Sequence, residues 1–145
     1  MKSLHFIAKL FVIVSFFIFP YTSNAENIAK FDDYVIHYNA LPTDILLPDV
    51  ARAYKIKRSK NRGMVNIVVQ HKGKGTTASV SGTGTNLNAQ LKHLTFREVK
   101  DGDVTYYISD FRVTHKESIH FKINVQPQDS KQSHTIEFKK EFFTN

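Results

Sequence analysis

The side chains able to do chemistry are few. Six histidines lie beyond the N-terminal region: His37, His71, His93, His115, His120 and His134. Imidazole binds metals and moves protons near neutral pH. A histidine metal site usually shows close spacing, such as His-x-His or two histidines one helical turn apart, and neither occurs. Copper would also call for cysteine or methionine. The chain has no cysteine, and Met64 falls in a predicted strand. A small hydrolase or metal-binding chaperone using His37 or His120 with an acid is therefore the alternative function rather than the first.

Nucleophiles and paired acids give no stronger signal. No Gly-x-Ser-x-Gly elbow is present. Ser79 and Ser81 sit in a run of small residues, Ala78 to Thr85. The Gly82-Thr83-Gly84 within it is followed by neither a third glycine nor a helix pattern, so it fails as a phosphate cradle. The run reads instead as a strand at an edge, or one closely approached by another backbone. Asp32-Asp33 are sequence neighbours that point apart on a strand, and Asp101 and Asp103 flank a turn glycine. Nothing here indicates an enzyme or a cofactor.

Charge is the one polarised feature. No acid lies between Asp49 and Glu98, and the ten cations there give that stretch +10, against −4 for residues 26–49 and −1 for residues 98–145. Arg52, Lys55, Lys57, Arg58, Lys60 and Arg62 form the dense part and are the candidate contact for an anionic partner. That partner would be an acidic envelope protein, lipid or lipopolysaccharide head groups, or a carboxylate-bearing wall polymer. The competing reading is a solvated loop with Arg58 or Arg62 paired to acids of the first third. Lys72 and Lys74 join the surface only if the Met64 strand folds back. Nucleic acid is not expected, since the loop lacks interleaved aromatics for base stacking.

The elements that position these residues are mostly strands. Ile119, Phe121, Ile123 and Val125 alternate with His120, Lys122, Asn124 and Gln126. Tyr34, Ile36 and Tyr38 alternate likewise, as do Val65, Ile67 and Val69, then Leu94 and Phe96, and finally Ile136, Phe138 and Phe142. Thr105 to Val113 has apolar residues on both faces and reads as a central strand. Asp101-Gly102 reads as a hairpin turn, and Asn61-Arg62-Gly63 as a turn feeding a strand. Residues 48–54, with a leading proline, an early acid and a basic end, suit a short helix. The expected fold is all-β: an antiparallel β-sandwich, immunoglobulin-like, of about seven strands with one short helix.

The N-terminus reads as an address. Lys2 and Lys9 precede an apolar run, Leu10 to Phe19, then Pro20 and the small residues Ser23 and Ala25. The run is half the ~20 residues a spanning helix needs. Cleavage is expected after Ala25, leaving residues 26–145 as one periplasmic domain with no membrane span after processing.

Tyr34 to Ala40, Ile45 to Ile56 and Arg58 to Ile67 are distinctive, as is the closing Glu137 to Phe143. With them the chain resembles the exported gammaproteobacterial family called domain of unknown function 4426. The resemblance implies a signal peptide, a single β-rich domain and a periplasmic setting, and carries no activity or catalytic residues. The reading is thus a non-catalytic periplasmic binding or envelope-assembly module with a basic contact surface.

Overall fold

Strict alternation makes the clearest strand. In Glu117–Pro127 every second residue is buried, so one face of the strand is apolar and the other wet. The computed structural model describes residues 27–145. The expected export signal lies outside the described residues. Ten strands form two antiparallel sheets: β1 (Asn27–Phe31), β2 (Tyr34–Pro42), β3 (Arg62–His71), β4 (Lys74–Gly75), β5 (Ala78–Asn86), β6 (Leu91–Leu94), β7 (Arg97–Asp101), β8 (Val104–Arg112), β9 (Glu117–Pro127) and β10 (His134–Phe142). β1 and β4 are too short to show an alternation, and β6 and β7 read in the sequence as one strand through Leu94 and Phe96, which is why about seven strands are legible. A 3-10 turn (Thr43–Ile45) and a short helix, α1 (Pro48–Ala53), fall between β2 and β3.

The first sheet runs β1-β2-β3-β8-β7, with β4 on the end of β3; the second runs β10-β9-β5-β6. Setting β1 and β4 aside, consecutive pairs alternate between sheets, and β2-β3-β8-β7 matches the A-B-E-D order of an immunoglobulin sandwich facing G-F-C-C′. The sandwich is therefore of the expected kind. Its interior holds Ile36, Val65, Ile67, Val69, Tyr107, Phe111, Ile119, Phe121, Ile123, Val125, Ile136 and Phe142. Phe111, Phe121 and Phe142 pack edge to face or tilted, with centroids 5.6 to 6.5 Å apart.

Two local expectations change, and a third is decided between its alternatives, in favour of close approach by another backbone. Leu94 and Phe96 do not share a strand: the chain crosses between sheets there, ending β6 at Leu94 and opening β7 at Arg97. Gly63 is not in a turn but in β3, where a Cβ would lie 2.6 Å from the Phe142 ring, so packing and not a positive φ explains the glycine. The small-residue run is β5, an interior strand. A Cβ at Gly82 would meet the Lys122 carbonyl at 2.8 Å, and one at Gly84 the Ile119 side chain at 2.8 Å. The β7–β8 hairpin does turn at Asp101-Gly102, with Gly102 at φ 58°.

β8 is covered on both faces, as its sequence predicts. Tyr107 and Phe111 face the interior, while Ile108 joins a second apolar cluster with Met64, Ala51 and Ile56 on the outer face of the first sheet. Met64 is thus buried, but on the side away from the main core.

Candidate functional site

Between β2 and β3 the chain leaves the first sheet, crosses its outer face and returns. Thr43 is fully buried and ties the two ends of this crossing together. Its hydroxyl donates to the Lys57 carbonyl at 2.9 Å and accepts the Ser59 N–H at 3.0 Å. Helix α1 opens with Pro48, whose missing N–H costs nothing in the first turn, and Asp49 follows at the positive end of the helix. The helix closes by a reversal. Lys55 N–H bonds the Arg52 carbonyl at 3.2 Å and Ile56 N–H the Ala51 carbonyl at 2.8 Å, with Lys55 at φ 55°. This pairing normally places a glycine in the left-handed position. The reversal turns Ile56 inward onto Met64 and Ile108.

The crossing sorts the six cations of the basic run. Arg62 opens β3 and grips Asp110 of β8, its Nε donating at 3.1 Å and its Nη2 making a second, shorter contact, with both side chains about three-quarters buried. Arg52 pairs with Asp49 at 3.2 Å, both largely exposed. Arg58 donates from Nη2 to the Asp44 carbonyl at 2.9 Å. Lys55, Lys57 and Lys60 are exposed and make no ion pair among the described residues. Arg97 donates to the Lys55 carbonyl at 3.3 Å, which brings a seventh cation to this corner. Lys72 and Lys74 lie past the far end of β3, about 30 Å from Arg62 at strand rise.

The histidines are dispersed. His71 Nδ1 lies 2.7 Å from Asp129 Oδ2 and its ring stacks on Tyr34 at 4.3 Å; His134 stacks on Phe31 at 4.3 Å. Tyr34 donates to Asp129 Oδ1 at 2.9 Å. That hydrogen bond first, then the backbone N–H of Asp129 and His71, outweigh burial and hold the Asp129 carboxyl below its ordinary value. His120 Nε2 and Glu137 Oε2 are 3.1 Å apart on the open face of the second sheet. His115 Nδ1 accepts the Thr144 N–H at 3.3 Å, and His93 is exposed. Among the described residues no three histidines or acids are grouped to hold a metal ion.

Beside the crossing, a groove of ≈ 730 Å³ runs from the outer face of the first sheet round the edge of β2 at residues 39–42, beyond the end of its pairing with β1, to β10 of the second sheet. His37 and Asn39 of β2, Asn66 and Gln70 of β3 and Tyr106 of β8 line it, with Lys139 and Lys140 of β10 also in its wall. Asn39 stands directly opposite Asn66 in the β2–β3 register. His37 Nε2 donates to Gln70 Oε1 at 3.0 Å. Asn66 Oδ1 is buried and accepts no hydrogen bond among the described residues, a deficit worth about 1–3 kcal/mol. No lining residue is acidic.

A family model described as domain of unknown function DUF4426 matches residues 28–145. The chain belongs to the DUF4426 family. A solved DUF4426 protein from Pseudomonas aeruginosa PAO1 is 33% identical, with a TM-score of 0.73 over 81% of this chain and 94% of that one. A copper-bound variant of FetP from a uropathogenic Escherichia coli strain is 9% identical, with a TM-score of 0.59 over 81% and 95%. FetP "as isolated" after expression in the E. coli periplasm gives 7% and 0.54 over 81% and 93%. At those identities the likeness to FetP is one of fold. No curated protein matches.

Within this DUF4426 domain, sequence reasoning singled out the crossing and His37 but missed Arg97, Asn39, Asn66 and Gln70. Alternation along β2 and β3 does put these amides on the face opposite the core. A polar face on a strand looks solvated, however, until a groove is seen over it.

Proposed function

We propose that this DUF4426 protein is exported, cleaved after Ala25, and acts in the periplasm as a non-catalytic binding or envelope-assembly module. Its contact surface is the crossing between β2 and β3, with Lys55, Lys57, Arg58 and Lys60 facing an anionic envelope component or an acidic partner protein. Arg52 flanks that surface, and Arg62 anchors its end through Asp110. The observation that carries the reading is that these cations ride on a backbone fixed by Thr43, by the helix reversal at Lys55 and by Ile56. Charges on a fixed backbone lose less freedom on binding than charges on a floppy loop. Export is supported by the basic start, the Leu10 to Phe19 run and Ser23-Asn24-Ala25. Among the described residues no helix is long and apolar enough to cross a membrane.

Triple reversal of Lys57, Arg58 and Lys60 to glutamate, followed by co-purification from envelope extracts in low salt, tests the assignment. The partner recovered with the natural protein is expected to disappear from the variant. The same partner at the same yield would remove the basic crossing from the mechanism. Arg62 is left intact because its loss would strand Asp110.

A further inference from the structure

We infer, resting on the role proposed above for the basic crossing, that its partner is an anionic phospholipid bilayer whose headgroup layer Ile45 and Leu47 enter. Leu46 turns inward onto the cluster around Met64 and Ile108, and its two neighbours turn out. Ile45 is 64% exposed and Leu47 70%, and neither belongs to an apolar cluster of the fold. Large aliphatic side chains gain on leaving water, and nothing in the fold removes these two from it.

Cations stand beside them. Arg58 donates to the Asp44 carbonyl at 2.9 Å and the Ser59 N–H bonds the Thr43 hydroxyl at 3.0 Å, so the returning limb, Lys57 to Lys60, lies against residues 43–45. On its other side Ile45 shares the groove lining with Lys139 and Lys140. Asp44 and Asp49 are the acids of the crossing, and Arg52 pairs with the second. Apolar side chains set among cations suit an anionic bilayer, where lysines stay at the phosphates while aliphatic groups reach the acyl boundary. An acidic protein would also meet the charge, but the residue types fit it less well. Protein interfaces favour Tyr, Trp and Arg at their centre and are poor in Lys. Here the exposed cations without an ion pair among the described residues are Lys55, Lys57 and Lys60, and the exposed large apolar residues of the crossing, Ile45, Leu47 and Val50, are all aliphatic.

The chain has no tryptophan, so Leu47→Trp supplies a single indole reporter at this surface. Protein expressed from its full sequence and purified after export is mixed with vesicles of phosphatidylglycerol and phosphatidylcholine, or of phosphatidylcholine alone. Intact mass checks that the leader is gone, and emission from position 47 reports on this surface whether or not it is. Co-sedimentation is expected with the mixed vesicles only and should fall in high salt. The Leu47→Trp emission should move to shorter wavelength on the mixed vesicles and be quenched by brominated lipid. Ile45→Ser with Leu47→Ser, both at exposed positions, should weaken binding about tenfold with the melting temperature retained. Reversal of Lys57, Arg58 and Lys60 to glutamate should abolish it. Absence of binding to the mixed vesicles would overturn the inference. So would binding that the serine pair leaves unchanged and that brings no emission shift, since charge alone then holds the protein. Should the vesicles fail while the reversal variant still loses its partner from envelope extracts, that partner is an acidic protein, and the basic crossing keeps its role without the bilayer.

Discussion

Gly63 shows how much one hydrogen atom decides. Its Cα carries no side chain because the Phe142 and Phe111 rings occupy that space, with a Cβ falling 2.6 Å from one and 3.0 Å from the other. Flat rings wedged in a core have little room to yield. Gly63→Ala is therefore expected to cost about 1–3 kcal/mol, read as a lower urea midpoint with an unchanged slope. Asn61-Arg62-Gly63 reads as a turn because glycine's freedom in φ is the commoner reason for its presence. The actual reason sits in β10, at the other end of the sequence. The same distance hid the partner of Arg62. The arginine was legible as charge, but Asp110 meets it only because β3 pairs with β8.

At the scale of elements, the short helix and its reversal govern where the basic face points. Lys55 occupies a left-handed conformation that glycine adopts freely and that β-branched residues resist. Lys55→Gly is expected to leave stability unchanged or raise it by up to about 1 kcal/mol, whereas Lys55→Val should lower it by about 1–2 kcal/mol. Thermal unfolding of the pair separates the conformational effect from the loss of charge, which both share. Much of this element was readable: Pro48, Asp49 and the two alanines announce a helix. The alternation in β9 announced a half-buried strand, and the two-sided apolar pattern of β8 announced cover on both faces. What supplies that cover was hidden, because Leu46, Ala51, Tyr54 and Ile56 are scattered among charges with neither strand nor long-helix period.

Two polar ties at the ends of the sandwich set the molecule's response to pH: Glu117 of β9 binds β5, β6 and the β8–β9 connection, and Asp129 of the β9–β10 connection reaches β2 and β3 of the other sheet. Burial pushes the Glu117 carboxyl up, but hydrogen bonds from Asn86 and the Thr114 N–H, together with Lys92 at 3.1 Å, outweigh it and leave it below its ordinary value. Asp129 is lowered too, by Tyr34 first and then by its own backbone N–H and His71. Carboxyls lowered on folding stabilise the native state above their unfolded values of about 4, and that contribution disappears as pH falls through the folded ones. Stability is therefore expected to drop below about pH 4. A Glu117→Gln, Asp129→Asn variant should show a shallower drop, measured by urea midpoints at a series of pH values. Sandwich class and strand alternation were legible in the sequence. The assignment of strands to sheets was not, since it depends on which hairpins cross over and not on any one strand's pattern.

Joining β2 to β3 over residues 43–61, instead of by a two-residue turn like those between β1 and β2 or β7 and β8, raises the entropy of closure by about 2 kcal/mol. β3 lies in the middle of its sheet, so the sheet waits on that closure. Local hairpins are expected to form first and the β2–β3 pairing late. The basic face takes shape only when Ile56 seats against Met64, which places it among the last features to appear. A partner that reads this face would distinguish finished molecules from chains still folding.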